Sequence, residues 1–139
     1  MEMASLTAIS RVLIVDDNRT LADILASSLN QNGFEAYAVY SAEQAIEQAI
    51  KSRPEFIVMD VIMDEIDGVD AAIAICETLP GIRILLISGH EGAGKRLEKG
   101  SLRGHHFDLM MKPIQPSWLV QRLRIQDCKE AAVGSRRAA

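Results

Sequence analysis

The strongest constraint on the fold is a short apolar run that ends in a carboxylate, Phe56-Ile57-Val58-Met59-Asp60. Consecutive apolar residues of this kind are typical of a strand that is buried on both faces. Three other apolar runs also end in polar residues, which are Asp16-Asp17 after Val12 to Val15, Ser88 after Ile84 to Ile87, and Lys112 after Leu109 to Met111. The pattern predicts several buried strands with polar side chains at their carboxyl ends.

Amphipathic segments alternate with these strands. A turn at Asn32-Gly33 closes the first helix, a capping box of Ser41 and Gln44 opens the second, and the third stops before Pro80. Their predicted inner faces are Leu21, Ile24, Leu25, Ser28 and Leu29, then Ala42, Ala45, Ile46, Ala49 and Ile50, then Val69, Ala72, Ile73 and Cys76. The alternating segment from Phe34 to Val39 indicates a half-exposed edge strand.

Strands that alternate with helices imply right-handed βαβ units and a parallel sheet. We therefore predict an α/β, flavodoxin-like, doubly wound fold with a five-stranded parallel sheet, strand order 2-1-3-4-5, and helices on both faces. In that order the first and third strands are neighbours. Asp16, Asp17 and Asp60 are then gathered at the carboxyl edge, where open α/β sheets place their sites.

The composition fits one ordered domain, since 48% of the 139 residues are apolar and 24% are charged. We place an N-terminal extension at 1–10, the domain at 11–128 and a flexible C-terminal tail at 129–139. Glycines interrupt the segment from Glu91 to Gly104, which predicts at most a short and marginal helix there.

No feature of the sequence points to a membrane or to nucleic acid. The apolar runs are too short to span a bilayer, the first eleven residues do not resemble a signal peptide, and the net charge is −4. We therefore expect a cytoplasmic protein. Cys76 and Cys128 lack a metal-binding spacing and are predicted to be reduced, structural thiols.

The acids at the strand ends predict a cation site. Two unit charges about 4 Å apart repel by roughly 4 kcal/mol at an effective dielectric near 20, so three adjacent carboxylates need a compensating cation. Mg²⁺ suits oxygen ligands of this kind, and Lys112 brings another positive charge to the same edge. Any of Asp16, Asp17 and Asn18 could cap the next helix, and Ser88 and Lys112, taken singly, could be ordinary surface side chains.

A charge-balanced Mg²⁺ site with open positions suits a phosphoryl group. Asp60 is the candidate nucleophile, because a carboxylate can attack phosphorus and hold the group as an aspartyl phosphate. Ser88 and Lys112 are the predicted donors to the added oxygens. The three histidines, His90, His105 and His106, are weaker candidates for metal ligation because no pair of them has a suitable spacing.

Several motifs follow one another in a fixed order along the chain. They are Val12 to Asp17, Ile57 to Asp60 followed by Met63 and Asp67-Gly68, then Ile87-Ser88-Gly89-His90 and finally Met111-Lys112-Pro113. This set resembles the receiver domain of bacterial two-component response regulators over roughly Arg11 to Gln126. Each motif is weak singly, whereas the ordered combination is highly specific.

The resemblance implies that Asp60 accepts a phosphoryl group from the phosphohistidine of a sensor histidine kinase or phosphotransfer protein. It implies that Asp17, Asp60 and the backbone carbonyl of Ile62 bind Mg²⁺ directly, and that Asp16 acts through water. Ser88 would move toward the phosphate, Lys112 would pair with it, and the Lys112-Pro113 bond would be cis. The output would be a switched protein-binding surface, with the downstream partner and phosphorylation-linked homodimerisation left open.

Two positions depart from the family pattern, and a third position near the phosphoacceptor is informative. Asp64 stands where the family usually has proline, and Leu109 stands where it usually has a switch aromatic, for which Phe107 or His106 could substitute. Ile62 follows Asp60 by two residues, beside the path of an attacking water in this family. An apolar group there disfavours orienting that water, which predicts a long-lived phosphoryl state.

Two other function classes stay open at this point. A Mg²⁺-dependent aspartyl-phosphate phosphohydrolase or phosphotransferase of the haloacid dehalogenase type would have an acid where Ile62 stands. A flavin-binding flavodoxin-like domain would have a loop rich in glycine, serine and threonine in place of Asp16-Asp17-Asn18. We expect a signalling domain that acts by protein contact or by passing phosphate on, rather than an enzyme.

Overall fold

The computed structural model describes residues 10–63, 66–89 and 107–125. The elements are β1 (Arg11–Val15), α1 (Arg19–Gln31), β2 (Glu35–Val39), α2 (Ala42–Ser52), β3 (Phe56–Asp60), β4 (Ile62–Met63), β5 (Ile66–Asp67), α3 (Gly68–Thr78), β6 (Arg83–Ser88), β7 (Asp108–Met111) and helical residues 116–125, here called α4. The predicted N-terminal extension, the glycine-interrupted segment and the C-terminal tail lie outside the described residues, apart from residue 10.

Five parallel strands form the sheet in the order β2-β1-β3-β6-β7. The short strands β4 and β5 pair with each other in a separate antiparallel hairpin, so β6 and β7 are the fourth and fifth strands of the sheet. The predicted order 2-1-3-4-5 is therefore confirmed. Every residue of the central strand β3 is buried, as the continuous apolar run predicted.

Two cores cover the two faces of the sheet, because successive strand residues point to opposite sides. Val12 and Ile14 of β1 pack with α1 and α4, whereas Leu13 and Val15 pack with α2 and α3. Full burial of one such side chain contributes roughly 1.5–3 kcal/mol. Helices pack on both faces of β1 and β3, and the acids of the site lie at the carboxyl ends of these two strands.

The helix boundaries follow local capping chemistry. The Asn18 side chain caps α1 by accepting a hydrogen bond from the Leu21 amide at 3.1 Å. Ser41 caps α2 by accepting from the Gln44 amide at 3.1 Å. The Gln44 side chain in turn accepts from the Tyr40 amide at 2.8 Å, one residue before the position of a standard capping box.

The predicted inner faces of the first two helices are wrong at one residue each. Ile24 and Ile50 are 50% and 48% exposed, whereas their neighbours Leu25 and Ala49 are buried. Successive helix positions differ by about 100° around the axis, so a one-residue offset moves a side chain off a narrow buried stripe. The small residue Ala22 belongs to that stripe in α1, and it was missing from the predicted face.

The described part of the chain includes Cys76, which is a half-buried free thiol on α3. Burial raises the pKa of Cys76, and the charge of Glu77 adds to the effect, so the thiol stays protonated near neutral pH. Within the described ranges, no helix combines the length and the hydropathy that crossing a bilayer requires. Cys128 lies outside the described residues.

Candidate functional site

Three predicted acids converge at the carboxyl edge of the sheet. β1 and β3 are neighbours, and Val15 is in register with Met59, so both strands reach the edge at the same level. One carboxylate oxygen from each of Asp16, Asp17 and Asp60 lies within 4.8 Å of the others. Asp16 and Asp60 are buried and Asp17 is exposed, which opens the cluster to solvent on one side.

Helix capping does not explain the acid pair. Asn18 is the residue that caps α1, and its amide donates to Asp16 Oδ1 at 3.0 Å. This contact fixes the Asp16 carboxylate inside the turn and leaves its other oxygen directed at the cluster. The competing interpretation of Asp16 and Asp17 as the helix cap is therefore excluded.

Asp60 is 5% exposed and is contacted through both carboxylate oxygens. The Ile62 amide donates to Oδ1 at 3.2 Å, and the Lys112 ammonium donates to Oδ2 at 2.8 Å. The first contact comes from the chain directly after β3, whereas the second comes from the end of β7. The orientation of the carboxylate is thus defined by one local and one distant donor.

Lys112 reaches the acids from the end of β7. Its backbone amide donates to the Ser88 carbonyl at 2.8 Å, and its ammonium lies 3.3 Å from Asp16 Oδ2 as well as 2.8 Å from Asp60 Oδ2. Burial acts to lower the pKa of Lys112, but the hydrogen bond and charge of Asp60, together with the charge of Asp16, outweigh it and raise the pKa. Lys112 is therefore cationic and bridges two acids.

The cluster carries more negative charge than Lys112 balances. Burial raises the pKa of Asp16, and the charge of Asp60 adds to this, against the opposing effects of the Asn18 amide and Lys112. Asp16 Oδ2 is buried without a hydrogen bond, and its contact with Lys112 is an ion pair only. A buried acceptor of this kind beside two further carboxylates fits a divalent cation.

Ser88 lies at the same edge, as the last residue of β6. It is fully buried, and it follows Ile87, the residue in register with Asp60. The Lys112-Pro113 peptide bond is cis, as the resemblance implied. Leu109 is partly buried and packs against the α2/α3 core, as does Phe107. Among the residues discussed from sequence, Asp64, His90, His105 and His106 lie outside the described ranges.

Two features near Asp60 were not predicted from sequence. The β4–β5 hairpin follows β3 immediately, and α3 then begins at Gly68. The Gly68 amide donates to the Val61 carbonyl, which closes the segment between β3 and α3. The dipeptide Asp67-Gly68 was the available signal, since glycine often marks a close backbone approach.

Comparison with known proteins places this geometry in a family. Residues 12–124 match the response regulator receiver domain family. The chain belongs to this family. The prediction from the ordered motifs, a receiver domain of a two-component response regulator, is thus confirmed.

The curated relatives are response regulators that are longer than this chain. The chain is 28% identical over 114 residues to the response regulator MprA of Mycobacterium ulcerans, covering 82% of this chain and 48% of that protein. It is 28% identical over 114 residues to MprA of Mycobacterium leprae, with 82% and 49% covered. The receiver domain described here spans about half the length of these relatives.

Solved structures show the same fold. A CheY-like receiver domain protein from Methanospirillum hungatei is similar with a TM-score of 0.79 and 20% identity, covering 90% of this chain and 99% of that one. The chemotaxis protein CheY4 of Vibrio cholerae is similar with a TM-score of 0.75 and 24% identity, with 84% and 98% covered. These similarities confirm the flavodoxin-like fold.

Proposed function

We propose that this receiver domain takes a phosphoryl group onto Asp60, with Mg²⁺ bound by the neighbouring acids. The observation that carries the proposal is the acid cluster, in which Asp16, Asp17 and Asp60 approach within 4.8 Å around one lysine. Such a cluster is costly in free energy without a ligand that brings positive charge. A purely structural role would not require three carboxylates to share one solvent-open edge.

Asp17 and Asp60 would hold the metal directly, together with the backbone carbonyl of Ile62, and Asp16 would bind it through water. Bound Mg²⁺ would neutralise charge on the phosphoryl oxygens during transfer. The buried, unbonded oxygen of Asp16 supports this set, because a coordinated water could supply its missing donor. Asp17 is exposed, which suits a metal that enters from solvent and keeps several waters.

The Asp60 carboxylate is the nucleophile of the proposed reaction. An Asp60 oxygen forms a bond to phosphorus while the bond from phosphorus to the histidine nitrogen of the donor breaks, and the histidine keeps that electron pair. The Ile62 amide and the Lys112 ammonium hold the carboxylate in place before attack. Lys112 then pairs with the phosphoryl oxygens, and Ser88 moves to donate to them.

The donor would be a sensor histidine kinase or a phosphotransfer protein in the cytoplasm. The phosphoryl group replaces one negative charge by about −1.5 to −2 and adds acceptor oxygens, which gives Ser88 and Lys112 new contacts. Their movement would change a protein-binding surface, for a downstream protein or for a second copy of the chain. The domain, proposed to span 11–128, would have no catalysis beyond its own phosphorylation and slow dephosphorylation.

Acetyl phosphate with MgCl₂ tests the proposal directly. Intact mass should show a gain of one phosphoryl group in the unmodified chain, and no gain in Asp60→Asn or in the presence of EDTA. Asp70→Asn is the matched control, since Asp70 is an exposed acid on α3 and should leave labelling unchanged. Equal labelling of the unmodified chain and Asp60→Asn would contradict the assignment of Asp60.

A further inference from the structure

Gly68, the first residue of α3, lies against the backbone that follows Asp60. Its amide donates a hydrogen bond to the Val61 carbonyl. A Cβ atom at Gly68 would overlap the carbonyl oxygen of Asp60, and it would lie 3.0 Å from both the Cα atom and the carbonyl oxygen of Val61. Backbone atoms cannot tolerate such an approach without moving, so α3 can begin at this point only with glycine.

The peptide units after Asp60 are held from two sides. On one side the Val61 amide donates to the Ile87 carbonyl of β6 at 2.9 Å, and on the other the Gly68 amide donates to Val61. The next amide, that of Ile62, donates to Asp60 Oδ1 at 3.2 Å. A shift of this backbone would therefore displace two groups of Ile62 at the same time. One is the amide that donates to the Asp60 carboxylate, and the other is the carbonyl proposed to bind the metal.

We infer that Gly68 is a positioning residue of the phosphoryl site, and that its missing side chain lets α3 fix the backbone of residues 60–62. The inference rests on the function proposed for Asp60. Gly68 contacts neither the metal nor the phosphoryl group in this scheme, because it acts through Val61 and Ile62. Loss of a group that orients a metal ligand without contacting the metal typically lowers metal affinity about 10–100-fold, and we expect an effect of this size.

Gly81 provides a matched control beyond the other end of α3. Its φ is +94°, so an alanine there is strained, but no atom of the described residues lies within 4 Å of an added Cβ. Gly81→Ala should therefore destabilise the fold without touching the backbone of the site. A difference between Gly68→Ala and Gly81→Ala at the metal site separates positioning from a general loss of stability.

The experiment measures MgCl₂ affinity by calorimetry, urea unfolding, and the rate of labelling by acetyl phosphate. Gly68→Ala should bind Mg²⁺ about tenfold or more weakly, and its labelling should recover in part at high MgCl₂. Gly81→Ala should lose stability and keep the affinity and labelling rate of the unmodified chain. Unchanged Mg²⁺ affinity in Gly68→Ala, or an equal loss in both variants, would overturn the inference.

A second measurement needs no variant and so holds even if Gly68→Ala does not fold. In the unmodified chain, MgCl₂ should slow hydrogen exchange at the Gly68 amide by a larger factor than at the Leu79 amide. Leu79 follows the last residue of α3, and its amide donates to the Ile75 carbonyl, far from the site. Equal slowing would contradict the positioning role. If the unmodified chain takes up neither Mg²⁺ nor a phosphoryl group, the proposed function fails and the inference falls with it.

Discussion

The Lys112 ammonium donates to Asp60 Oδ2 at 2.8 Å, although the two residues are 52 positions apart in the chain. The same ammonium lies 3.3 Å from Asp16 Oδ2. A single cation therefore bridges the ends of β1 and β3, the two strands that meet at the topological switch point. This bridge determines how the acid cluster is stabilised in the absence of metal.

Replacement of Lys112 by methionine should destabilise the fold in EDTA. Removal of one partner leaves Asp16 and Asp60 buried without their cation, and because Lys112 is 28% exposed we expect a loss of about 1–3 kcal/mol in the free energy of unfolding. MgCl₂ should reduce the difference in the free energy of unfolding between Lys112→Met and the unmodified chain, since the metal replaces the lost positive charge. Urea unfolding checks this, with the exposed residue Lys51→Met as control; an equal loss in both variants would contradict the bridge.

Ile62→Asn should shorten the lifetime of the phosphoryl group. Ile62 is partly buried at the start of β4, and its amide contacts the proposed phosphoacceptor. An amide side chain at this position can hydrogen-bond an attacking water, which isoleucine cannot do. Loss of label after removal of acetyl phosphate measures the rate, and Ile62→Val serves as the apolar control. A decay rate in Ile62→Asn that equals the control rate would refute the explanation.

Asn30→Ala should uncover the outer edge of β2. The Glu35 amide bonds to Ser10 on the β1 side, so strand alternation turns the backbone groups of Ala36 outward. The Asn30 side chain satisfies both of them, accepting from the Ala36 amide at 2.8 Å and donating to its carbonyl at 3.1 Å. Their loss should cost about 1–2 kcal/mol.

Hydrogen exchange at the Ala36 amide checks the prediction and should become faster in Asn30→Ala. Sedimentation should also show more self-association at high concentration, because an uncovered edge can pair with another chain. Gln31→Ala is the control, as its exposed side chain lies next to Asn30 on α1. Unchanged exchange at Ala36 would show that the Asn30 amide does not protect this edge.

The alkaline titration of Tyr40 should depend on Asp23. The Tyr40 hydroxyl donates to Asp23 Oδ1 at 2.6 Å, and this hydrogen bond, with the charge of Asp23, raises the pKa of Tyr40 above 10.0. Because the folded pKa is the higher one, the stabilisation is complete below pH 10.0 and is lost as pH rises through the folded pKa. Stability should therefore fall with rising pH in that window.

Tyrosinate absorbance in a Tyr37→Phe background isolates the signal of Tyr40, because the chain has 2 tyrosines. Asp23→Asn should move the Tyr40 titration to lower pH, and it should remove this part of the alkaline stability loss. Glu43→Gln, an exposed acid in the first turn of α2, should leave the titration in place. An identical titration in Asp23→Asn would show that Asp23 does not control Tyr40.

Local sequence patterns were sufficient for the five strands of the parallel sheet and for most helix boundaries, but not for the short strands β4 and β5. The all-apolar run of β3 required burial on both faces, and the alternating run near Tyr37 correctly predicted an edge strand. Helix faces were predicted less well, since Ile24 and Ile50 differ from their buried neighbours only by rotation about the helix axis. Apolar character alone does not reveal which of two adjacent residues points inward.

The sequence by itself determined the kind of residue at each strand end, and hence the candidate chemistry of Asp16, Asp17 and Asp60. The sequence offered three caps for α1, of which the structure selects Asn18. Only the tertiary structure decided that Lys112 bridges two of these acids. It also decided that Gly68 closes the backbone after Asp60. Strand identity is a local property of burial and period, whereas contacts among separate strand ends arise only when long-range packing sets their order and register.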